Sequence, residues 1–121
     1  MDDYQQSEED PESTDDIDSE SVLRCAQCGT AISKPEYLFQ RDELGIYANP
    51  HGHVFDLITV SYAENVQAHG ESTTEFTWFA GYAWRVLGCA HCKLHLGWRF
   101  EGTQSGQTPS VFFGLLRNHL N

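Results

Sequence analysis

The chain has 121 residues, 40% of them hydrophobic, with 18 acidic against 7 basic side chains. This is the length of a single domain. Ten of the acids and none of the bases lie in residues 1–20, so the remainder, with eight acids against seven bases, is close to neutral. The absence of a long apolar run argues against a membrane span. A near-neutral body without a basic stripe argues against nucleic-acid binding.

The N-terminal segment, residues 1–22, is predicted to be a disordered acidic tail, because it holds almost no apolar side chains to bury. Solubility is the simple role for such a tail, and a specific partner is the alternative. Neither a basic region nor an apolar stretch follows Met1, so no signal peptide is predicted and a cytoplasmic location is expected. The folded domain is expected to span residues 23–121.

Two CxxC pairs predict a metal site. Cys25 and Cys28 form the first pair, and Cys89 and Cys92 form the second, 60 residues later. Each pair can place two thiolates on one side of a zinc ion, and four thiolates complete a tetrahedron with no open position for a reactive water. Two disulfides or a redox CxxC are the alternatives. We expect one structural zinc, which a small domain with a modest core needs.

Between and after the two pairs the pattern is typical of β-strands. The strongest strand is predicted at 54–62, which is rich in β-branched and aromatic residues. Alternation in the strand predicted at 96–101 places Leu96, Trp98 and Phe100 on one face. His95, Gly97 and Arg99 are then expected on the other face. The other predicted elements are strands at 36–41, 82–87 and 96–101, turns at 42–45 and 49–52, a polar loop at 67–74, and a strand or short helix at 111–120.

The three tryptophans are either core residues or the walls of a pocket. Trp78 and Trp84 bracket Gly81, and Trp98 follows Gly97. Aromatic side chains dominate small cores, which favours the first interpretation. Glycine permits close backbone approach at a turn or a pocket wall, which favours the second. An open cage of this kind also suits a quaternary ammonium group.

The chain from Cys25 to Leu120 resembles the CULT domain family, represented by the thalidomide-binding domain of cereblon. The motifs that carry the resemblance occur in family order across the body. They are Cys25 with Cys28, Asn49-Pro50-His51-Gly52, Thr74-Glu75-Phe76-Thr77-Trp78-Phe79-Ala80-Gly81-Tyr82-Ala83-Trp84, Cys89 with Cys92, His95-Leu96-Gly97-Trp98 and Phe113-Gly114-Leu115. Nothing resembles the protease-like or ligase-adaptor parts of cereblon, so the resemblance implies a free-standing member of the bacterial kind without a ubiquitin-ligase adaptor.

The resemblance implies an all-β, β-tent fold of two antiparallel sheets pinned by zinc. It also implies a non-enzymatic pocket for cyclic imides such as glutarimide, thalidomide-like or uridine-like rings, or C-terminal cyclic imides of damaged proteins. In the family, the backbone at the Phe76 position bonds the imide edge, and the Trp78 indole region serves the second carbonyl. The residues implied at the site are Trp78, Trp84 and Trp98 as walls, Phe100 as base, Phe76 as backbone partner, and Asn49, Pro50 and His51 as rim.

Two departures from cereblon lie in the central motif. Phe76 stands where cereblon has histidine, so a side-chain hydrogen bond is lost while backbone recognition is expected to survive. Ala80 stands where cereblon has proline, which loosens the turn.

Two rival classes of function stay open at this point. An aromatic-cage reader of methylated cations would use acids near the tryptophans, for which Glu75 and Glu101 are the candidates. An imide-processing enzyme would need a catalytic group, but all four cysteines are assigned to zinc and a lone His51 or His95 is a weak candidate.

Overall fold

The computed structural model describes residues 21–39 and 45–121, and the regular structure within them consists of nine β-strands and two short 3-10 turns. No helix in this part of the chain is both long and apolar enough to cross a membrane. The predicted acidic tail, up to residue 20, and residues 42–44 of the predicted turn at 42–45 lie outside the described residues. The strands are β1 (Leu23–Arg24), β2 (Ala31–Ser33), β3 (Leu38–Phe39), β4 (Ile46–Ala48), β5 (Val54–Val60), β6 (Val66–Thr73), β7 (Tyr82–Cys89), β8 (His95–Gly102) and β9 (Val111–Leu116).

The strands form two antiparallel sheets. The small sheet is the hairpin of β1 and β2, and the first cysteine pair lies in the turn between these strands. The large sheet has the order β3-β5-β9-β8-β7-β6, and β4 pairs with the first part of β5. The all-β fold of two antiparallel sheets, with four cysteines placed to pin them, is therefore confirmed.

A glycine contact sets the spacing at the centre of the large sheet. Gly97 on β8 faces β9, and a Cβ atom placed there would lie 1.9 Å from the backbone oxygen of Gly114. No side chain fits in that space, so glycine is required at position 97 for β8 and β9 to pair as they do.

The two faces of the large sheet bury two separate cores. One packs around the cysteines, with Leu87, Leu96 and Leu115 fully buried. The other is aromatic and is centred on Phe100 and Phe112, whose rings stack at 4.9 Å. The sheet therefore carries a metal-type cluster on one side and an aromatic cluster on the other.

Most predicted strands lie where the sequence placed them. The predictions at 54–62, 82–87 and 96–101 correspond to β5, β7 and β8. Of the prediction at 36–41, residues 40 and 41 lie outside the described residues. In the remainder only Leu38–Phe39 forms a strand, β3, after a 3-10 turn at Pro35–Tyr37. The ambiguous C-terminal segment is the strand β9, followed by a 3-10 turn at Arg117–His119.

The predicted polar loop at 67–74 is wrong, because Val66–Thr73 forms β6. This strand lies at the edge of the large sheet and pairs with β7 alone. The backbone of β6 forms the hydrogen bonds to β7, and most of its side chains are exposed to solvent. A polar composition is therefore compatible with a strand at this position.

Candidate functional site

The four cysteines converge on one point. The Sγ atoms of Cys25 and Cys92 are 3.5 Å apart, those of Cys28 and Cys89 are 3.6 Å apart, and all four lie within 4.8 Å of one another. A tetrahedron of thiolates held about 2.3 Å from zinc has edges of about 3.8 Å. The cluster thus has the size and the donor set of a four-thiolate zinc site.

Two similar turns present the cysteines. In the first, the N–H of Gly29 donates to the carbonyl of Cys25 at 2.8 Å. In the second, the N–H of Lys93 donates to the carbonyl of Cys89 at 2.9 Å, with Lys93 in the left-handed region at φ 72°. Each turn curls its thiols toward the same point. Cys89 ends β7, so the metal-type cluster is tied directly to the large sheet.

The electrostatics of the cluster favour a bound cation. Burial raises the pKa of the Cys25 thiol to about 11. Hydrogen bonds from Thr30, whose hydroxyl lies 3.1 Å from Sγ, lower the pKa of Cys28 to about 6. Without a cation the buried Cys25 would stay protonated at neutral pH, since an unpaired buried charge is costly. A divalent ion is what allows four thiolates to share this space.

On the opposite face of the sheet lies a cavity of about 320 Å³. That volume is in the range of small-molecule pockets. It brings together all eight residues expected at the ligand site and adds three that the sequence did not assign to ligand binding. The expected residues are Asn49, Pro50, His51, Phe76, Trp78, Trp84, Trp98 and Phe100, and the additions are Phe55, Val86 and His95.

The hairpin of β7 and β8 forms the back of the cavity. Trp84 pairs with Phe100 across the two strands, and Val86 pairs with Trp98, so all four side chains point to the same face. Trp78 comes from the loop before β7 and meets Trp98 edge to face at 4.9 Å. Of the three tryptophans that line the cavity, two therefore lie on a hairpin and one lies on a loop.

Two aromatic side chains pack against Trp78 and Trp98. Tyr47 on β4 stacks on Trp78 with ring centres 5.3 Å apart. Phe55 on β5 meets the edge of Trp98 at 5.1 Å. These contacts restrict the orientation of the indole rings of Trp78 and Trp98.

Two of the indoles, those of Trp78 and Trp84, donate their N–H groups to backbone carbonyls. Trp78 Nε1 donates to the carbonyl of Ala48 at 2.8 Å, and Trp84 Nε1 donates to that of Glu75 at 2.8 Å. The indole faces are left to contact a ligand. The Trp78 N–H therefore already has an acceptor within the protein. The resemblance implies that the Trp78 indole region serves the second carbonyl of a ring, and that role stays a prediction.

Phe76 has an unusual backbone. Its φ is +59°, in the left-handed region that a non-glycine residue rarely occupies, and its side chain is 66% exposed. The segment is framed by two hydrogen bonds, from the N–H of Glu75 to the Thr73 hydroxyl and from the N–H of Thr77 to the Thr74 carbonyl. Strained residues of this kind concentrate at binding sites.

The rim turn is shaped by Asn49. Its side-chain oxygen accepts the backbone N–H groups of His51 at 3.0 Å and His53 at 2.9 Å. An asparagine that closes a turn on itself in this way fixes the backbone locally. Asn49 therefore holds His51 at the mouth of the cavity.

His95 reaches the cavity because of a bulge. The pairing of β7 and β8 shifts between Leu87, opposite Gly97, and Gly88, opposite His95, so Leu96 is the extra residue. A bulge re-aims the side chains beyond it. As a result Leu96 packs with the cysteine-side core, not beside Trp98, and the predicted alternation fails there.

The His95 ring is half-buried and fixed. Its Nε2 lies 3.0 Å from the carbonyl of Gly97, and its edge meets Trp98 at 5.0 Å. Burial lowers its pKa, the Gly97 hydrogen bond opposes that shift, and nearby His119 lowers it further. The environment of the ring therefore favours its neutral form.

Comparison with known families matches residues 21–121 to the family described as Yippee zinc-binding/DNA-binding/Mis18, centromere assembly. The chain belongs to the Yippee-Mis18 family. Among curated proteins, cereblon of Gallus gallus is 38% identical over 102 residues, which are 81% of this chain and 23% of that protein. Cereblon of Danio rerio is 36% identical over 110 residues, 88% of this chain and 26% of that protein.

This Yippee-Mis18 chain thus spans about a quarter of the length of these two cereblons. The resemblance to the CULT region of cereblon is confirmed, and so is the zinc-binding character that the family description names. The relatives and the aromatic cluster together fit a ligand-binding domain of the CULT type.

Proposed function

We propose that this domain binds small, neutral cyclic imides reversibly and without turnover. One observation carries the proposal: three indoles surround a cavity of about 320 Å³, beside a residue with a left-handed backbone. Flat, apolar walls with a few polar groups at one edge are the composition of a small-molecule site.

The chemistry of an imide ring matches these walls. Its CH₂ groups suit the faces of Trp84 and Trp98, and its edge presents an acceptor, a donor and an acceptor. We assign that edge to the backbone of Phe76, whose carbonyl would accept the imide N–H and whose N–H would donate to a ring carbonyl. Uridine-like rings and C-terminal cyclic imides of peptides present the same kind of edge, and the rim at His51 would face their substituents.

A cage for methylated cations has less support. None of the described residues that line the cavity is acidic. Glu75 contributes its backbone carbonyl to Trp84, and the carboxylate of Glu101 pairs with Arg99 at 3.2 Å. A cage selective for cations gains much from a nearby carboxylate, so the lining favours a neutral ligand.

An enzyme also has less support. All four cysteines converge on the metal-type cluster, so no thiol is left for nucleophilic attack. His51 and His95 line the cavity without a serine, threonine or carboxylate beside them among its described lining residues. We therefore assign the site to binding rather than to catalysis.

We extend the proposal to partners and compartment. The ligand is a small molecule or a modified peptide end, not nucleic acid or a membrane, because the body is nearly neutral and the acids are concentrated in residues 1–20. Zinc thiolates suit a reducing compartment such as the cytoplasm.

The test is a titration followed by tryptophan fluorescence. A glutarimide of about eight heavy atoms at about −0.7 kcal/mol per atom gives about −6 kcal/mol, a Kd of roughly tens of micromolar. Glutarimide, uridine, N-methylglutarimide and tetramethylammonium are compared on the zinc-loaded chain. The proposal is supported if glutarimide binds and the N-methylated ring and tetramethylammonium do not, whether or not uridine also binds. Preference for tetramethylammonium, or equal binding of the N-methylated ring, would overturn it.

A further inference from the structure

The backbone oxygen of Gly81, at the centre of the tryptophan loop, is the meeting point of three donors. It accepts the N–H of Thr103 at 3.0 Å, the hydroxyl of Thr103 at 3.0 Å and the side-chain amide of Gln107 at 2.9 Å. A carbonyl oxygen has two lone pairs. With three donors on this one oxygen, the Gly81 carbonyl is tied to Thr103 and Gln107 at once.

We infer that residues 103–110, here called the brace loop, hold the tryptophan cage in its binding shape, with Gln107 as the positioning residue. Gln107 does not line the cavity, so it would act only through Gly81. The effect on ligand affinity rests on the proposed imide binding, whereas the effect on the cage can be measured without ligand.

The Gln107 side chain is itself fixed at both ends. Its oxygen accepts the backbone N–H of Gln104 at 2.8 Å while its nitrogen donates to Gly81. It also lies between two glycines, because a Cβ atom at Gly81 would come 3.0 Å from its nitrogen and one at Gly102 would come 2.9 Å from its oxygen. A side chain at either glycine would require the Gln107 amide to shift from this position.

Hydrogen bonds next to Gly81 connect it to the segment that carries Trp78. The hydroxyl of Thr77 donates to the carbonyl of Tyr82 at 2.7 Å, and the N–H of Tyr82 donates to the carbonyl of Phe79 at 3.0 Å. Trp78 lies within the segment that these bonds close. The Tyr82 hydroxyl donates to the backbone carbonyl of Pro109 in the brace loop. A cage ordered before the ligand arrives loses less entropy on binding.

The test uses two variants of equal charge. Gln107→Glu keeps the shape of the side chain and the acceptor for Gln104, but it removes the donor to Gly81. Gln104→Glu adds the same charge three residues away and leaves Gly81 untouched. In the zinc-loaded full chain without ligand, amide hydrogen exchange over residues 77–84 should rise about fivefold in Gln107→Glu, the effect of one net hydrogen bond.

Glutarimide affinity should fall by a similar factor in Gln107→Glu, and both quantities should stay at the wild-type value in Gln104→Glu. Equal behaviour of the two variants would overturn the inference. So would a uniform rise in exchange across β8 and β9, since Gln107 would then support the whole fold. If the wild type bound no imide, the proposed function would fail, but exchange at residues 77–84 would still decide the role of the brace loop.

A second pair guards against a variant that fails to fold. Thr103→Val removes one hydroxyl donor from Gly81 and keeps the backbone N–H, whereas Thr103→Ser retains both donors. Faster exchange at residues 77–84 in Thr103→Val but not in Thr103→Ser is the expected result. Identical exchange rates at residues 77–84 in the two variants would contradict the proposed role of the brace loop.

Discussion

The indole nitrogen of Trp84 donates a hydrogen bond of 2.8 Å to the backbone carbonyl of Glu75. This bond joins a wall of the cavity to the segment that holds Phe76 in its left-handed conformation. The apolar wall and the polar edge of the site are therefore coupled: a change at Trp84 affects the residue to which we assign the imide edge.

Replacement of Trp84 separates these two contributions. Trp84→Ala removes the wall and the bond to Glu75, and truncation of a central aromatic contact commonly costs at least about 2 kcal/mol, or about thirtyfold in affinity. Trp84→Phe keeps a flat wall but loses the N–H donor, so we expect an intermediate loss. Both are measured by glutarimide titration, with zinc content as the control for folding. Full affinity in Trp84→Phe would show that the bond to Glu75 does not matter for binding.

Substitutions at Phe76 test the backbone assignment. Because the side chain is 66% exposed and φ is +59°, Phe76→Gly should retain glutarimide affinity within about threefold and relieve some backbone strain. Phe76→Pro forbids that φ and removes the N–H, so it should abolish binding. Phe76→His should change affinity only modestly. A large loss in Phe76→Gly would show that the phenyl ring itself contacts the ligand.

Much of the site could be predicted from the sequence because it depends on local spacing. Two CxxC turns predict a metal site wherever the chain brings them together, and the alternation of Trp98 and Phe100 predicts their shared face. His95 could not be assigned to that face, because the bulge beside it is a property of strand pairing. Phe55 was predicted to lie in a strand, but its place in the cavity is set by packing against Trp78 and Trp98, which are distant in the sequence.

The edge strand β6 shows a second limit. Its pairing energy lies in backbone hydrogen bonds to β7, while its side chains, such as His69 and Glu71, are exposed. Composition carries little information about such a strand. The same holds for the brace loop, whose role depends on a glutamine reaching a glycine 26 residues away.

Deletion of residues 1–20 should leave both the melting temperature and the glutarimide affinity nearly unchanged. This segment holds ten acids and almost no apolar residues, so it has little to bury. Thermal unfolding and titration of the shortened chain measure both quantities. A loss of stability above about 1 kcal/mol, the scale of a real structural contact, would show that the segment docks on the domain.

Acid should destabilise the domain partly through His95. Burial lowers its pKa in the folded state below 6.5, so below that pH the unfolded chain binds more protons at this position. Its contribution to stability is therefore present above about pH 6.5 and is lost as the pH falls through the folded pKa. Thermal unfolding of the wild type and of His95→Gln at about pH 7.5 and about pH 5.5, on either side of the ordinary histidine pKa, isolates the effect because both carry the same cysteine cluster. The variant should lose less stability on acidification, and an equal loss would assign the pH dependence to other groups.

Removal of the metal should unfold the domain. The four Sγ atoms lie within 4.8 Å, and burial raises the pKa of Cys25 to about 11. When zinc leaves, this thiol takes up a proton and the cross-link between the two cysteine turns is lost. Cys89→Ser should yield a largely unfolded body at neutral pH, whereas His91→Ser, in the same turn but exposed, should fold and bind one zinc. Metal analysis and circular dichroism, with and without a chelator, measure both. A metal-free chain that stays fully folded with four titratable thiols would show that hydrophobic packing around Leu87 and Leu115 holds this fold without the ion.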